Sequence, residues 1–150
     1  MITNEKMRFG FWPNPRSDYK STRILAQHAE TTGWDGIWLA DHFLPEEDAL
    51  IPVHESWITL AALARDIPRV RLGTLVTGNT YRHPAVLANM VATLDNLADG
   101  RVVLGLGAGW QQNEHDAYGI EYGTVSSRLD MLEEACQVLR GLFQSDYFNF

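Results

Sequence analysis

Cysteine is almost absent from this sequence, and its scarcity limits the chemistry that can hold the fold together. Cys136 is the only cysteine, so no intrachain disulfide can form. Small proteins of oxidising compartments often depend on disulfides, and we therefore expect a cytoplasmic protein. No stretch approaches the roughly 18 consecutive apolar residues of a transmembrane helix, and residues 1–6 are mostly polar. We expect neither a signal segment nor a membrane partner.

Basic residues are also scarce. Lys and Arg together number 12, against 19 Asp and Glu, which gives a formal net charge of −7 at pH 7. No run of Lys or Arg forms a local basic patch. A surface of this sign repels nucleic-acid phosphates and anionic lipids. We therefore predict no nucleic-acid partner and no anionic membrane as a partner.

Four short apolar runs, each followed by a helical pattern, organise the chain. The runs are rich in β-branched and aromatic residues and start roughly 30 residues apart, as successive β-α units do. They cover residues 8–12, 36–41, 70–76 and 102–106. Such alternation predicts an α/β domain over residues 1–150, with a parallel sheet and right-handed crossovers.

The helical stretches carry apolar residues at the spacing of one helix face. The first helix spans about 19–31, with Ile24 and Leu25 among the residues predicted to face inward. The last begins near Ser127, where a capping-box-like pattern with Asp130 precedes the apolar stripe. That stripe consists of Leu129, Leu132, Cys136, Leu139 and Phe143. On this pattern Cys136 is a buried core thiol and not a nucleophile.

Two architectures fit this order of elements: a doubly wound open sheet, and the N-terminal half of a TIM-type (β/α)8 barrel. A complete barrel needs roughly 250 residues, so four β-α units supply about half of one. In both architectures the functional loops follow the C-terminal ends of the strands. Here those loops contain aromatic residues, an Asp-His pair, hydroxyl groups and glycines. This mixture suits a flat aromatic ligand that lies against backbone.

Asp41 and His42 follow the second strand and have more than one interpretation. His42 can act as an acid/base group, or both side chains can be structural, with Asp41 capping a loop. A metal site could pair them with His54 and Glu55, although the His-x-His pattern usual in metal-dependent hydrolase barrels does not follow the first strand. The glycines after the fourth strand do not form a dinucleotide fingerprint, because Trp110 occupies the position of the last glycine.

A long connection between the fourth strand and the last helix carries Glu114, His115 and Tyr118. Long connections in compact domains are often functional. A solvated surface loop is the other interpretation of this segment.

Four runs of the sequence occur together in one recognisable arrangement. They are MRFGFW at 7–12, ADHF at 40–43, LGTLVTGNTYRHPA at 72–85 and GRVVLGLGAGW at 100–110. Glu114, His115 and AYG at 117–119 extend the match over essentially the whole chain. Together these runs resemble the luciferase-like monooxygenase family, and within it most of all the oxidoreductases that use the deazaflavin coenzyme F-420. The resemblance implies the N-terminal half of a bacterial luciferase-like (β/α)8 barrel.

The resemblance also implies an activity: hydride transfer between a flavin-type cofactor and an unknown small-molecule organic substrate. Coenzyme F-420 is favoured as the cofactor and FMN is the alternative; with FMN and oxygen the reaction would be a monooxygenation. In relatives the loop after the second strand contacts the cofactor ring, which points to Asp41 and His42. His42 matches the family's catalytic histidine. The resemblance assigns no metal ligand.

The third and fourth strands would form the rest of the cofactor site. By resemblance, a cis peptide bond between the non-prolines Leu75 and Val76 forms a bulge that supports the ring, with Thr77 and Asn79 beside it. The small residues Gly107 and Ala108 match the strand-four segment that runs along the cofactor.

One departure from the family pattern concerns the substrate. In the sugar-phosphate dehydrogenase branch, a carboxylate that acts as proton donor follows the strand-four glycine, whereas this sequence has Trp110 there. We therefore do not expect oxidation of a sugar phosphate. Instead, Trp12 and Trp110 are predicted to flank the substrate, which is then an aromatic or otherwise apolar compound.

Half a barrel leaves two strand edges and an apolar interior uncovered. We therefore expect a homo-oligomer, or an inactive chain that self-associates. Two further hypotheses stay open: a metal-dependent barrel hydrolase that uses Asp41 and His42, and a non-catalytic truncated half-barrel.

Overall fold

Short parallel strands form the centre of the computed structural model, which describes residues 6–46, 53–144 and 147–150. In chain order the strands are β1 (Gly10–Phe11), β2 (Gly36–Leu39), β3 (Arg71–Thr74), β4 (Thr77–Gly78), β5 (Val102–Val103) and β6 (Leu106–Gly107). Most of the polar segment 1–6, for which no signal sequence is expected, lies outside the described residues.

The spatial order of the strands follows their order in the chain. β1, β2, β3 and β5 are hydrogen-bonded neighbours in that sequence, and β4 pairs with β6; every pairing is parallel. A doubly wound sheet would reverse its strand order at a switch point. Among the described strands there is no such reversal, so the chain forms four successive β-α units of a partial barrel, as the second of the two predicted architectures requires.

Two of the predicted strands are interrupted at the same level of the sheet. The expected cis peptide bond between Leu75 and Val76 is present and separates β3 from β4. Beside it, the Thr77 N–H donates to the carbonyl oxygen of Gly105 over 2.8 Å. The predicted strand 70–76 is therefore divided into β3 and β4, and the predicted strand 102–106 into β5 and β6. Around the bulge, single hydrogen bonds replace the regular ladder of the sheet.

Within the ranges that the structure describes, five helices connect and follow the strands. They are α1 (Tyr19–Thr31), α2 (Ser56–Asp66), α3 (Pro84–Leu97), α4 (Gln112–Tyr118) and α5 (Val125–Gln144), with a 3-10 turn at Asn79–Tyr81 before α3. The side chains of Asp18, Glu55 and His83 accept backbone N–H groups in the first turns of α1, α2 and α3. In the described part of the chain, no helix is both long and apolar enough to cross a membrane.

The hydrophobic core lies between the sheet and the first three helices. Ile37 of β2 pairs with Leu72 of β3, and both side chains are fully buried. They belong to one cluster with Leu60 and Leu63 of α2 and Leu87 of α3. Burying side chains of this size stabilises a fold by about 1.5–3 kcal/mol each before entropy is subtracted. This core holds the strand ends, and the loops that follow them, in fixed positions.

The predicted inner face of α1 is wrong in two positions. Ile24 and Leu25 are exposed, whereas Ala26 and Ala29 are buried in the core cluster. Small side chains allow α1 to lie close against α2 and the sheet. The larger side chains of Ile24 and Leu25 therefore face away from the core.

α5 begins earlier than predicted, and its buried face differs from the predicted stripe. The Ser127 N–H donates to Thr124 Oγ1 over 3.1 Å, so Thr124 caps this helix in place of Ser127. Ala135 and Leu139 are buried, but Cys136 is exposed. The prediction of a buried thiol is wrong because Cys136 lies about 100° around the helix from Ala135, away from the buried side of α5.

The segment expected to be an extended connection contains the short helix α4. Glu114 and His115 are buried on it, and Tyr118 is exposed. Since its buried residues are polar, α4 lacks the apolar periodicity by which a helix is recognised in a sequence.

At the N-terminal end of the strands, Arg101 joins three segments of backbone. Its Nη1 donates to the carbonyls of Ile67 and Val70 over 2.9 and 2.7 Å, and its Nη2 donates to the carbonyl of Ala64 over 3.1 Å. These contacts link the end of α2 and the start of β3 to the start of β5. In barrels this end of the sheet serves stability and the opposite end serves chemistry.

We predict that Arg101→Met lowers the free energy of unfolding by about 2–4 kcal/mol, because three carbonyls lose a charged donor. Urea denaturation followed by circular dichroism measures the change. Arg140→Met, at an exposed position of α5, is the matched control and should shift stability by less than about 0.5 kcal/mol. Equal stability of the two variants would contradict the role assigned to Arg101.

Candidate functional site

The C-terminal ends of the strands surround a cleft of about 340 Å³. Its lining contains every residue predicted for the cofactor and substrate site except Asn79. The lining residues are Trp12, Asp41, His42, Leu75, Val76, Thr77, Gly78, Tyr81, Gly107, Ala108, Gly109 and Trp110. The fold thus collects residues from all four β-α units at the one place where parallel α/β architectures carry their sites.

Asp41 is buried directly after β2, and its carboxylate accepts four hydrogen bonds. Arg82 binds it bidentately, with its Nη1 2.6 Å from Oδ2 and its Nη2 3.1 Å from Oδ1. The Ser56 hydroxyl donates to Oδ1 over 2.7 Å and the Gly78 N–H donates to Oδ2 over 3.0 Å. Asp41 therefore joins the end of β2 to the start of α2 and to β4. Its predicted contact with a cofactor stays a prediction.

His42 lies at the boundary between the protein interior and the cleft. Its Nδ1 is 2.6 Å from Oε1 of Glu114, and its side chain is 23% exposed. The ring meets the indole of Trp110 edge-on, with centroids 5.5 Å apart. Within the described part of the chain, Nε2 of His42 has no hydrogen-bond partner. The imidazole is thus fixed through Nδ1, while Nε2 is available to a bound molecule.

Glu114 is fully buried, and four donors surround its carboxylate. Oε1 accepts the His42 Nδ1 contact and the hydroxyl of Tyr81 over 2.6 Å. Oε2 accepts the backbone N–H groups of Phe43 and Leu44. Burial alone would raise the pKa of Glu114, but the hydrogen bonds from His42, Tyr81 and the two N–H groups together outweigh burial and hold that pKa below its ordinary value. Glu114 is therefore a carboxylate at neutral pH.

Tyr81 completes this network as a donor. Burial, and then its hydrogen bond to Glu114, raises the pKa of the Tyr81 phenol above its ordinary value. The phenol keeps its proton at every physiological pH. Its ring also packs against Phe43, with centroids 4.7 Å apart, and against the buried His115, at 5.1 Å. The segment after β2 is thereby packed against α4 and the 3-10 turn.

The bulge at Leu75–Val76 faces the fourth β-α unit at van der Waals distance. A Cβ placed on Gly107 would lie 2.7 Å from Cγ2 of Val76, and one on Gly105 would lie 2.4 Å from the carbonyl oxygen of Thr74. The two glycines are therefore required for β6 to approach β4. Thr77 is buried between them, where its hydroxyl is 2.6 Å from that of Thr74.

Asn79 does not belong to this cleft. It is buried in the 3-10 turn and lines a separate cavity of about 650 Å³ that α5 and residues 148–150 close. Its predicted contact with the cofactor ring is untested, but the structure does not bring it to the residues with which it was grouped.

A third cavity, of about 250 Å³, adjoins the cleft on the other side of His42. Trp12, His42 and Trp110 line both spaces. Trp12 and Trp110 are 55% and 56% exposed, so both indoles present open faces there. The predicted substrate residues therefore lie where a second molecule could contact His42.

The four residues of the alternative metal site do not form a ligand set: Asp41 and Glu55 both bind Arg82 instead. Asp41 is bound to Arg82, and Glu55 caps α2 through Ile58 while its other oxygen lies 3.3 Å from Arg82. His54 is exposed. In the described ranges, no cluster of three or more His, Cys, Asp or Glu is placed to hold a metal ion.

Sequence reasoning missed the roles of Glu114, Tyr81 and Arg82. The sequence places Glu114 on the long connection but offers no partner for it. Tyr81 and Arg82 follow the third strand, in the run that matches the family, and this position was the available signal. All three act through contacts with residues about 30 or more positions away, so spacing along the chain could not pair them.

Comparison with known proteins agrees with this geometry. The model of the luciferase-like monooxygenase family matches residues 6–150. The chain belongs to this family. That match covers the strands, the cleft and α4 alike.

Curated relatives are longer than this chain. It is 39% identical over 128 residues to an F-420-dependent glucose-6-phosphate dehydrogenase of Amycolatopsis mediterranei, covering 83% of this chain and 38% of the relative. It is 36% identical to the F-420-dependent hydroxymycolic acid dehydrogenase of Mycobacterium tuberculosis, covering 88% and 37%. The chain thus spans well under half the length of the curated relatives it matches.

A solved structure gives the same result for the fold. An F-420-dependent secondary alcohol dehydrogenase, in complex with an F-420-acetone adduct, superposes with a TM-score of 0.87 at 30% identity. The match covers 97% of this chain and 46% of that enzyme.

We predict that Glu114→Gln destabilises the chain by about 3 kcal/mol near pH 7, and that this difference shrinks in acid. Because the folded-state pKa of Glu114 is lowered, its charge stabilises the fold above the unfolded value near 4.5. That contribution is lost as the pH falls below 4.5 through the folded-state pKa. Urea denaturation from pH 7 to pH 3.5 measures both effects.

Glu133→Gln, at an exposed position of α5, is the control for this substitution. Its unfolding free energy should follow that of the wild type at every pH. A Glu114→Gln variant whose stability runs parallel to the wild type down to pH 3.5 would contradict the buried-charge account.

Proposed function

We propose that this chain supplies the ring-binding side of an oxidoreductase that uses coenzyme F-420. The observation that carries the proposal is the single cleft in which His42, the Leu75–Val76 bulge and the Gly107–Ala108 segment meet. Because the chain spans less than half of its relatives, the activity proposed is that of the protein to which these residues belong.

The cleft has the properties that a tricyclic deazaflavin ring requires. Its volume of about 340 Å³ lies at the lower end of the range for small-molecule sites, and apolar groups dominate its walls. Gly107 and the Val76 side chain lie against each other in its wall, so backbone and small apolar groups face the space that a flat ring would occupy. Among the residues that the structure describes, neither Lys nor Arg lines the cleft. We therefore assign ring contacts to this chain and leave the negatively charged tail of the cofactor to other groups.

F-420 is favoured over FMN because the similar curated relatives named above depend on F-420. The solved alcohol dehydrogenase carries the same coenzyme. FMN with oxygen is the alternative, consistent with the family's description as monooxygenases. The hydrolase hypothesis has no observation in its favour, since the residues it needs are engaged elsewhere.

The residues of the cleft divide the chemistry between them. When bound, coenzyme F-420 supplies the site that accepts or donates a hydride at the substrate carbon. Nε2 of His42 takes the proton of a substrate hydroxyl as the carbonyl forms, and returns it in the reverse direction. Trp12 and Trp110 cover the substrate and keep water from the reacting carbon. Asp41 acts indirectly, by fixing the end of β2.

The substrate that fits this surface is a small alcohol or ketone with apolar or aromatic substituents. Trp110 stands where the sugar-phosphate branch has its carboxylate, and indole faces attract apolar groups. A homo-oligomer is also proposed. The exposed apolar residues Ile58, Val86 and Leu97 on α2 and α3 support it.

Titration with F-420 and with FMN, followed by fluorescence, tests the proposal. We expect saturable binding of F-420, weakened at least tenfold by Ala108→Leu, because the added side chain fills the cleft where the ring would lie. The matched control is Ala117→Leu at an exposed position of α4, which should bind as the wild type does.

Three results would contradict parts of the proposal. Unchanged F-420 binding by Ala108→Leu would show that the ring does not lie in this cleft. Saturable binding of FMN alone would replace the deazaflavin with a flavin. No saturable binding of either compound would contradict the assignment of ring contacts to this chain. Sedimentation velocity on the same samples tests the proposed oligomer.

A further inference from the structure

α4 holds the segment after β2 through several side chains at once. Gln111, at the start of this helix, donates to the carbonyl of Leu44 over 2.9 Å, and Asn113 donates to the carbonyl of Pro45 over 2.9 Å. Glu114 accepts the N–H groups of the two residues that follow His42. Residues 42–45 are thus fixed by α4 along their whole length, with the His42 ring at one end.

The protons of this network can be assigned from its donors and acceptors. A carboxylate offers about four lone-pair sites, two on each oxygen. On Glu114, two backbone N–H groups occupy Oε2, and the Tyr81 hydroxyl occupies one site of Oε1. The remaining site of Oε1 faces Nδ1 of His42 at 2.6 Å. No site is left for a proton on the carboxylate itself.

The proton between Glu114 and His42 must therefore be carried by Nδ1. In a neutral imidazole only one nitrogen carries a proton, so Nε2 is left with its lone pair. Nε2 has no partner in the described part of the chain, and the ring lines both the cleft and the adjoining cavity. The lone pair is directed to the space where a substrate hydroxyl would lie.

We propose that Glu114 is the positioning residue that fixes His42 as the Nδ1–H tautomer and so makes Nε2 a proton acceptor. This inference rests on the proposed function, because it states which nitrogen of His42 accepts the substrate proton in that reaction. In the oxidation of an alcohol, Nε2 takes the hydroxyl proton while the carbon–hydrogen bond breaks with hydride transfer to the cofactor. Glu114 lines neither the cleft nor the adjoining cavity, so it acts only through His42 and the backbone of Phe43 and Leu44.

The tautomer can be read directly, without cofactor or turnover. Long-range ¹H–¹⁵N correlation spectra distinguish Nδ1–H from Nε2–H imidazoles, and His42→Gln identifies the His42 signals among the 5 histidines. We expect at least a roughly tenfold excess of the Nδ1–H form in the wild type above pH 7, as a charge-assisted hydrogen bond implies. A predominant Nε2–H form in the wild type would overturn the inference.

Two variants separate positioning from general packing. Glu114→Gln should reduce the excess to less than about threefold, because a neutral amide holds the Nδ1–H proton more weakly and can instead donate to Nδ1. Tyr81→Phe removes the competing donor to Oε1 and should keep the Nδ1–H form. An unchanged tautomer in folded Glu114→Gln would contradict the proposal; if that variant does not fold, the wild-type and Tyr81→Phe spectra decide.

Failure of this inference and failure of the proposed function give different results. A wild-type chain with the Nδ1–H tautomer that binds neither F-420 nor FMN would contradict the proposed function alone. A chain that binds F-420 but shows the Nε2–H tautomer would contradict the positioning role of Glu114 alone.

Discussion

A carboxylate can be buried only where hydrogen-bond donors replace the water that it loses. At the C-terminal end of this sheet the carboxylates of Asp41 and Glu114 are buried, and each accepts hydrogen bonds from distant parts of the chain. Asp41 draws together β2, α2, β4 and the segment before α3, whereas Glu114 attaches α4 to the loop after β2. The position of His42 depends on both carboxylates, because His42 directly follows Asp41 in the chain and its Nδ1 contacts Glu114.

The order of the β-α units could be predicted from the sequence, because each strand is a local apolar run with a helix after it. The cis peptide bond at Leu75–Val76 was predicted from resemblance and is present. α4 could not be predicted from periodicity, because its buried side chains are Glu114 and His115 and not a hydrophobic stripe. The burial of Cys136 was predicted wrongly because periodicity alone does not fix which side of α5 meets its neighbours.

The N-terminal end of the sheet carries stabilising contacts, and the C-terminal end carries the candidate site. At one end, Arg101 donates hydrogen bonds to the carbonyls of Ala64, Ile67 and Val70 and so ties separate backbone segments together. At the other, glycines and a bulge leave a cleft whose walls are backbone, indole and imidazole. The family membership agrees with this division, while the cofactor proposed for the cleft is inferred from the relatives and the proposed substrate from the exposed indole of Trp110.

Hydrogen–deuterium exchange with and without F-420 tests the central claim, that a deazaflavin ring lies in the cleft at the C-terminal ends of the strands. The account predicts slower exchange in peptides that cover 75–78 and 107–110, with no change in α5. Saturable binding accompanied by protection only around the cavity between α5 and residues 79–85, or by no protection of 75–78 and 107–110, would contradict it.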